Sequence, residues 1–200
     1  MRYQVALAAQ MTGNSVKASF LAEEAMQRKE ETSELQVLIG VMAMQDKKYP
    51  EAEKAFARAV ELEPSNGIAL YNLSEALREQ RRAQDATGIL EQAIKLEPQQ
   101  KLLLLKLRLA QMETDKGSEE IEAEVFRRQI DSQQTWDWLM TTAAVHLKNA
   151  NYRQASDAIR AAKEIAGSRT IRPIVAEDHF FRQFTANERL KDVRNELGLE

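Results

Sequence analysis

The strongest constraint on this chain is a near-duplication. Ala59-Val60-Glu61-Leu62-Glu63-Pro64 returns 34 residues later as Ala93-Ile94-Lys95-Leu96-Glu97-Pro98. A fixed period of that length marks a chain assembled from supersecondary units, each too small to bury its own apolar face and each stabilised by stacking on its neighbours. The residues between the two copies are mostly Ala, Leu, Glu, Gln, Lys and Arg, which lose little conformational freedom in a helix. Only seven Gly and four Pro punctuate 200 residues, too few for a turn-rich β protein. An all-α fold of paired helices, with no strands, is therefore expected. Pro64 and Pro98 end the second helix of each pair, because proline donates no backbone hydrogen bond and restricts the residue before it.

With Ser33 as first position, two full units span 33–66 and 67–100. Gly40, Ala52 and Ala59 in one correspond to Ser74, Ala86 and Ala93 in the other; Ile39 and Phe56 correspond to Leu73 and Leu90. This pattern of small residues, large apolar residues and a closing proline, with Tyr49 at a turn, resembles the tetratricopeptide repeat (TPR) family. The resemblance implies a right-handed superhelical solenoid of antiparallel helix pairs over residues 1–169. Its units are a partial one at 1–32, the two full ones, a degenerate one at 101–135 that is one residue longer than the period, and one at 136–169 carrying Ala143, Tyr152, Ala155, Ile159 and Ala162. Gly40 costs about 1 kcal/mol in an isolated helix relative to Ala, so close packing is its expected reason.

Turns are expected near 12–15, 46–49, 80–83, 115–118 and 149–151. A helix is expected near 118–131 from Ile121, Val125, Phe126 and Ile130. Ser33 with Gln36, and Thr185 with Glu188, read as capping boxes. Residues 170–200 leave the frame and are expected to form a C-terminal helical cap entered at Pro173. Phe181, Phe184, Leu190, Val193 and Leu197 would face inward, and Gly198 would stop the last helix. A competing reading inserts Phe180, Phe181 and Phe184 into a groove, in cis or in a partner chain, giving self-inhibition or a homodimer.

Several function classes drop out. The absence of cysteine excludes disulfides and thiolate metal sites. The longest aliphatic run, Leu102 to Leu105, falls far short of the roughly 18 residues that span a membrane, so direct membrane insertion is not expected. Net charge is −3 with mixed signs, and the densest basic group, Arg78, Arg81 and Arg82, lies among Glu75, Glu79 and Asp85. It reads as a solvated helix end, not a phosphate site, so nucleic acid is not an expected partner. His146 and His179 lack metal-ligand spacing; His179, beside Glu177 and Asp178, reads as a solvated helix start. No cofactor, metal or catalytic residue is expected, and the chain reads as a non-enzyme. Cytoplasm and periplasm both stay open.

The resemblance further implies a concave groove lined by the first helix of each pair. Its candidate residues are Leu7; Val37, Val41 and Met44; and Ile68, Tyr71 and Asn72. They continue as Leu102, Leu105, Lys106, Leu109 and Met112, then Met140 and Leu147. Asn72 and Lys106 partly match the clamp with which chaperone-binding TPR domains hold a terminal carboxylate, but Val37 and Val41 replace its other members. The mostly apolar surface implies a scaffold or assembly adaptor holding an apolar or amphipathic peptide or helix of another protein. Two alternatives remain open at this point. Several of these residues belong to the core between repeats, or the chain is a regulatory or targeting region of a larger enzyme or secretion and assembly component.

Overall fold

The computed structural model describes residues 31–128 and 135–199, together with Phe20 and Glu24. The unit expected at 1–32, its turn at 12–15 and the candidate Leu7 lie outside the described residues, as do Ile130 and the side chain of Phe126. Among the described residues are eleven α-helices, one 3-10 turn and no strand. The chain divides into two compact units, one ending at Gln99 and the other starting at Gln100.

The first unit contains α1 (Ser33–Gln45), α2 (Tyr49–Leu62), α3 (Gly67–Glu79) and α4 (Ala83–Leu96). They pack as two hairpins, α1 with α2 and α3 with α4, and α2 docks on α3. Ala52, Ala59, Ala86 and Ala93 are fully buried, so the helix backbones approach closely at the small positions of the repeat. At Gly40 the approach is closer still. A Cβ there would stand 2.4 Å from Cε1 of the buried Phe56 ring, well inside van der Waals contact.

Local signals fix the helix ends, though not all as the sequence suggested. The N-cap of α1 is Thr32, whose Oγ1 accepts from the Leu35 amide at 3.2 Å. Ser33 is inside the helix and buried, and its hydroxyl donates to the Ala59 carbonyl at 3.0 Å. The expected Ser33–Gln36 box does not form and the cap falls one residue earlier, because Ser33 is recruited to bind the neighbouring helix and Gln36 turns back to Glu31. Asn66 joins the two hairpins: its Oδ1 caps α3 at the Ala69 amide (3.0 Å) and its Nδ2 donates to Ser33 Oγ (2.9 Å).

The second unit contains α5 (Lys101–Met112), α6 (Asp115–Arg128), α7 (Trp136–Lys148) and α8 (Tyr152–Ala166), then α9 (Ser168–Glu177), the short α10 (His179–Arg182), a 3-10 turn at Glu188–Leu190 and α11 (Lys191–Leu197). The turn expected at 115–118 is instead at Glu113 and Thr114, and α6 begins three residues earlier than the sequence suggested. Pro173 does not open the tail but sits inside α9, which starts directly after Gly167. Thr185 and Glu188 do not form a capping box. Asn187 caps the 3-10 turn by accepting from the Arg189 amide, while the Thr185 hydroxyl donates back to the Arg182 carbonyl. Ala143, Ala155 and Ala162 are again fully buried, and Phe180, Phe181, Leu190, Val193 and Leu197 join the same core with Phe184 packed at its edge.

Three hairpin turns repeat one backbone motif. Lys47 (φ 58°), Arg81 (φ 60°) and Ala150 (φ 57°) adopt the left-handed conformation at matching places in the repeat. In each, the next residue's amide reaches five residues back, Lys48 to Ala43, Arg82 to Leu77 and Asn151 to His146, satisfying the last helical carbonyls. A side chain in that conformation costs roughly 1–2 kcal/mol.

Two stability predictions follow from this packing. Gly40→Ala loses about 1–3 kcal/mol through overpacking against Phe56, whereas Gly88→Ala, on an exposed face of α4 with open space around it, gains about 0.5–1 kcal/mol of helix propensity. Chemical denaturation of the two variants should give opposite signs; equal shifts would contradict the Gly40–Phe56 contact. Arg81→Gly should stabilise by roughly 0.5–1 kcal/mol, the left-handed strain relieved less the entropy of glycine, which a raised denaturation midpoint would report.

Candidate partner-binding surface

In the first unit, α1 and α3 are the leading helices of consecutive hairpins and touch one another. Val37, Val41 and Met44 follow helical spacing along one face of α1 and rest, half-buried, on the cluster formed by Phe56, Leu73 and Leu77. Ile68, Tyr71 and Asn72 lie at the same kind of spacing on α3. Ile68 is 67% exposed, while Tyr71 and Asn72 are half-buried. The Asn72 amide donates to the Ile68 carbonyl at 2.8 Å, within its own helix. These six candidates keep accessible surface in the described structure.

The second unit treats its candidates differently. Leu105, Leu109, Met112, Met140 and Leu147 are buried in the core, and only Leu102 stays half-buried. They do not line an open groove. α9 and α10 bring Ile171, Ile174, Phe180 and Phe181 into the cluster these residues form, so the C-terminal segment closes what the repeat frame left open. Lys106 is likewise withdrawn from any clamp. Its Nζ lies 2.6 Å from Asp178 Oδ2, with both side chains buried. Asp178 Oδ1 also accepts from the Phe180 amide at 2.8 Å, capping α10. The start of α10 is therefore a helix start, as the sequence suggested, but not a solvated one.

Two more charged groups are buried. Arg78, expected at a solvated helix end, is fully buried and pairs through Nη1 with Glu75 at 3.0 Å. Arg108 pairs with the buried Asp137 at 2.9 Å and lies 3.9 Å from the centre of the Trp138 ring. The other oxygen of Asp137, Oδ1, is buried and has no hydrogen-bond partner among the described residues. Partial burial lowers the pKa of His146 from its ordinary value, because desolvation disfavours the charged imidazolium. Among the described residues no three His, Asp or Glu side chains converge as a metal site, and no helix is long and apolar enough to cross a membrane.

Sequence reasoning missed Asp178 and Asp137 as ion-pair members. The Asp two residues before Phe180 was a readable capping signal, but a partner 72 residues away at Lys106 was not.

The helix hairpins and their small-residue contacts define a helical-repeat protein. Residues 37–101 match the family model of the tetratricopeptide repeat. The solved structure of PilF from Pseudomonas aeruginosa is similar over 98% of this chain and 90% of its own, with a TM-score of 0.62 and 18% sequence identity. A likeness at that identity shows the fold. Comparison with curated proteins gives no match.

Breaking the buried Lys106–Asp178 pair on one side leaves an uncompensated charge, so Lys106→Met or Asp178→Asn should each destabilise by about 3–5 kcal/mol. The double variant should cost less than the sum, with a coupling of about 0.5–3 kcal/mol in a double-mutant cycle. Additive losses would show that the two groups do not interact.

Proposed function

We propose that the chain is a non-enzymatic scaffold that holds another polypeptide on the α1–α3 surface of its first unit, taking the apolar face of an amphipathic helix or an extended apolar peptide. The carrying observation is Ile68, a large aliphatic side chain left 67% exposed on a helix in contact with the half-buried Val37, Val41 and Met44. Exposed apolar residues grouped on touching helices mark interaction surfaces more often than isolated ones do. Met44 adds an unbranched side chain that adapts to varied partners. Tyr71 and Asn72 supply a polar edge that orients what binds. The tetratricopeptide repeat is a protein-interaction module in general, which supports both the scaffold and the absence of catalysis. The buried Leu105, Leu109, Met112, Met140 and Leu147 have no part in this surface.

Residues 170–200 act in this reading as the C-terminal cap. Their inward side chains complete the core of the second unit, and Arg182, Glu188, Lys191 and Asp192 face water, as the last element of a repeat array requires.

A photo-crosslinking amino acid at position 68 of the full chain, followed by mass spectrometry, identifies the partner. Val41→Glu and Ile68→Glu should then each weaken its capture by about tenfold or more. Ile68→Glu should change stability by no more than about 0.5 kcal/mol, because the side chain is already exposed. Undiminished capture by both folded variants would move the partner off α1 and α3.

A further inference from the structure

A cavity of about 570 Å³ opens at the start of α8, between the α7–α8 turn and the segment carrying Arg189 and Asp192. Its lining is rich in hydrogen-bond donors with no acceptor. The amides of Tyr152, Arg153 and Gln154 stand in the first turn of α8, where a helix has no acceptors of its own, and Asn151 gives no side-chain cap. Ser156 lies one turn further on. It is only 7% exposed, it lines the cavity, and its hydroxyl has no hydrogen-bond partner among the described residues.

Charge points the same way. α2 and α4 carry Glu51 and Asp85 in their first turns, which complement the positive end of the helix dipole. α8 carries no acidic residue there and has Arg153 instead. The Arg189 guanidinium stands 5.3 Å from the Tyr152 ring centre. Neither Arg153 nor Arg189 forms an ion pair among the described residues. Arg160 is spoken for, bound to Glu196 at 3.0 Å and Asp157 at 3.5 Å. One carboxylate, Asp192, shares the wall.

We propose that this cavity binds the carboxylates of a glutamate- or aspartate-rich polypeptide segment. Two guanidiniums without ion pairs offer paired N–H donors matched to a carboxylate, the first-turn amides of α8 add the dipole, and the Ser156 hydroxyl supplies a donor at the floor. The Tyr152 ring gives the methylenes of a glutamate an apolar wall. Asp192 repels a phosphate dianion more than it repels single carboxylates, which favours the acidic peptide. The site belongs to the second unit and to a different chemistry from the apolar surface on α1 and α3, so each stands or falls alone.

The test is fluorescence anisotropy of a short labelled polyglutamate peptide against the full chain, with a polyglutamine peptide and inorganic phosphate as comparison probes. Saturable, salt-sensitive binding of polyglutamate is expected, with polyglutamine at least about tenfold weaker. Arg153→Gln with Arg189→Gln should weaken binding by about tenfold. Asp192→Asn should tighten it by about two- to fivefold, a gain that unfolding cannot produce. Absence of polyglutamate binding, equal affinity for polyglutamine, or indifference to these variants, each shown folded by circular dichroism, would overturn the proposal. Displacement of the peptide by phosphate at lower concentration than by free glutamate would overturn the carboxylate assignment.

Discussion

The contact between helices at small residues is what the rest of the structure depends on. With the Phe56 ring lying against the α-carbon of Gly40, and Ala52, Ala59, Ala86 and Ala93 wholly enclosed, two helices of a hairpin meet at a distance that larger side chains do not permit. That spacing sets how much of each leading helix is used up by its own partner. What remains on α1 is a face of Val37, Val41 and Met44 that rests on the core without being covered by it. The exposed apolar surface is a consequence of tight pairing elsewhere.

Equivalent positions meet different fates in the two units for a local reason. In the second unit the leading helices α5 and α7 touch each other, and their apolar residues share one core with Ile171, Phe180, Phe181 and Val193 from the C-terminal segment. Lys106 and Asp178 fasten that arrangement. A buried pair of this kind is costly to desolvate and adds little net stability, but it disfavours arrangements that separate its partners. The segment after α8 is thus part of the second core, and the side chains it covers are not available to a ligand.

Charged residues on the hairpins mostly meet complements. Arg58 binds Glu31 through two nitrogens at 2.7 and 2.9 Å, holding that carboxyl below its usual range. Arg82 reaches Glu53 and Asp85, both at 2.7 Å. Such exposed pairs add little stability, yet they occupy the donors that would otherwise attract an anion. At the start of α8 this pairing lapses: Arg153 and Arg189 line a cavity there, and neither forms an ion pair among the described residues. The starts of α2 and α4 carry Glu51 and Asp85 in their first turns, and the start of α8 carries no carboxylate there.

The sequence by itself determined the helical class, the 34-residue frame, the prolines that end α2 and α4, and the enclosed small residues. These are legible because helix propensity and periodic packing are local or repeat at fixed spacing. It also placed the inward side chains of the tail, since amphipathic spacing is written along a single helix. Tertiary structure decided the rest. It moved the first cap from Ser33 to Thr32 because Ser33 was needed by the Ala59 carbonyl. It made core of Leu105, Leu109, Met112, Met140 and Leu147, which read as groove only while the covering segment was unplaced. It buried Arg78, and it joined Lys106 to Asp178 across 72 residues. Whether an apolar or charged side chain meets water depends on neighbours distant in the chain, and a pattern confined to one helix carries no record of them.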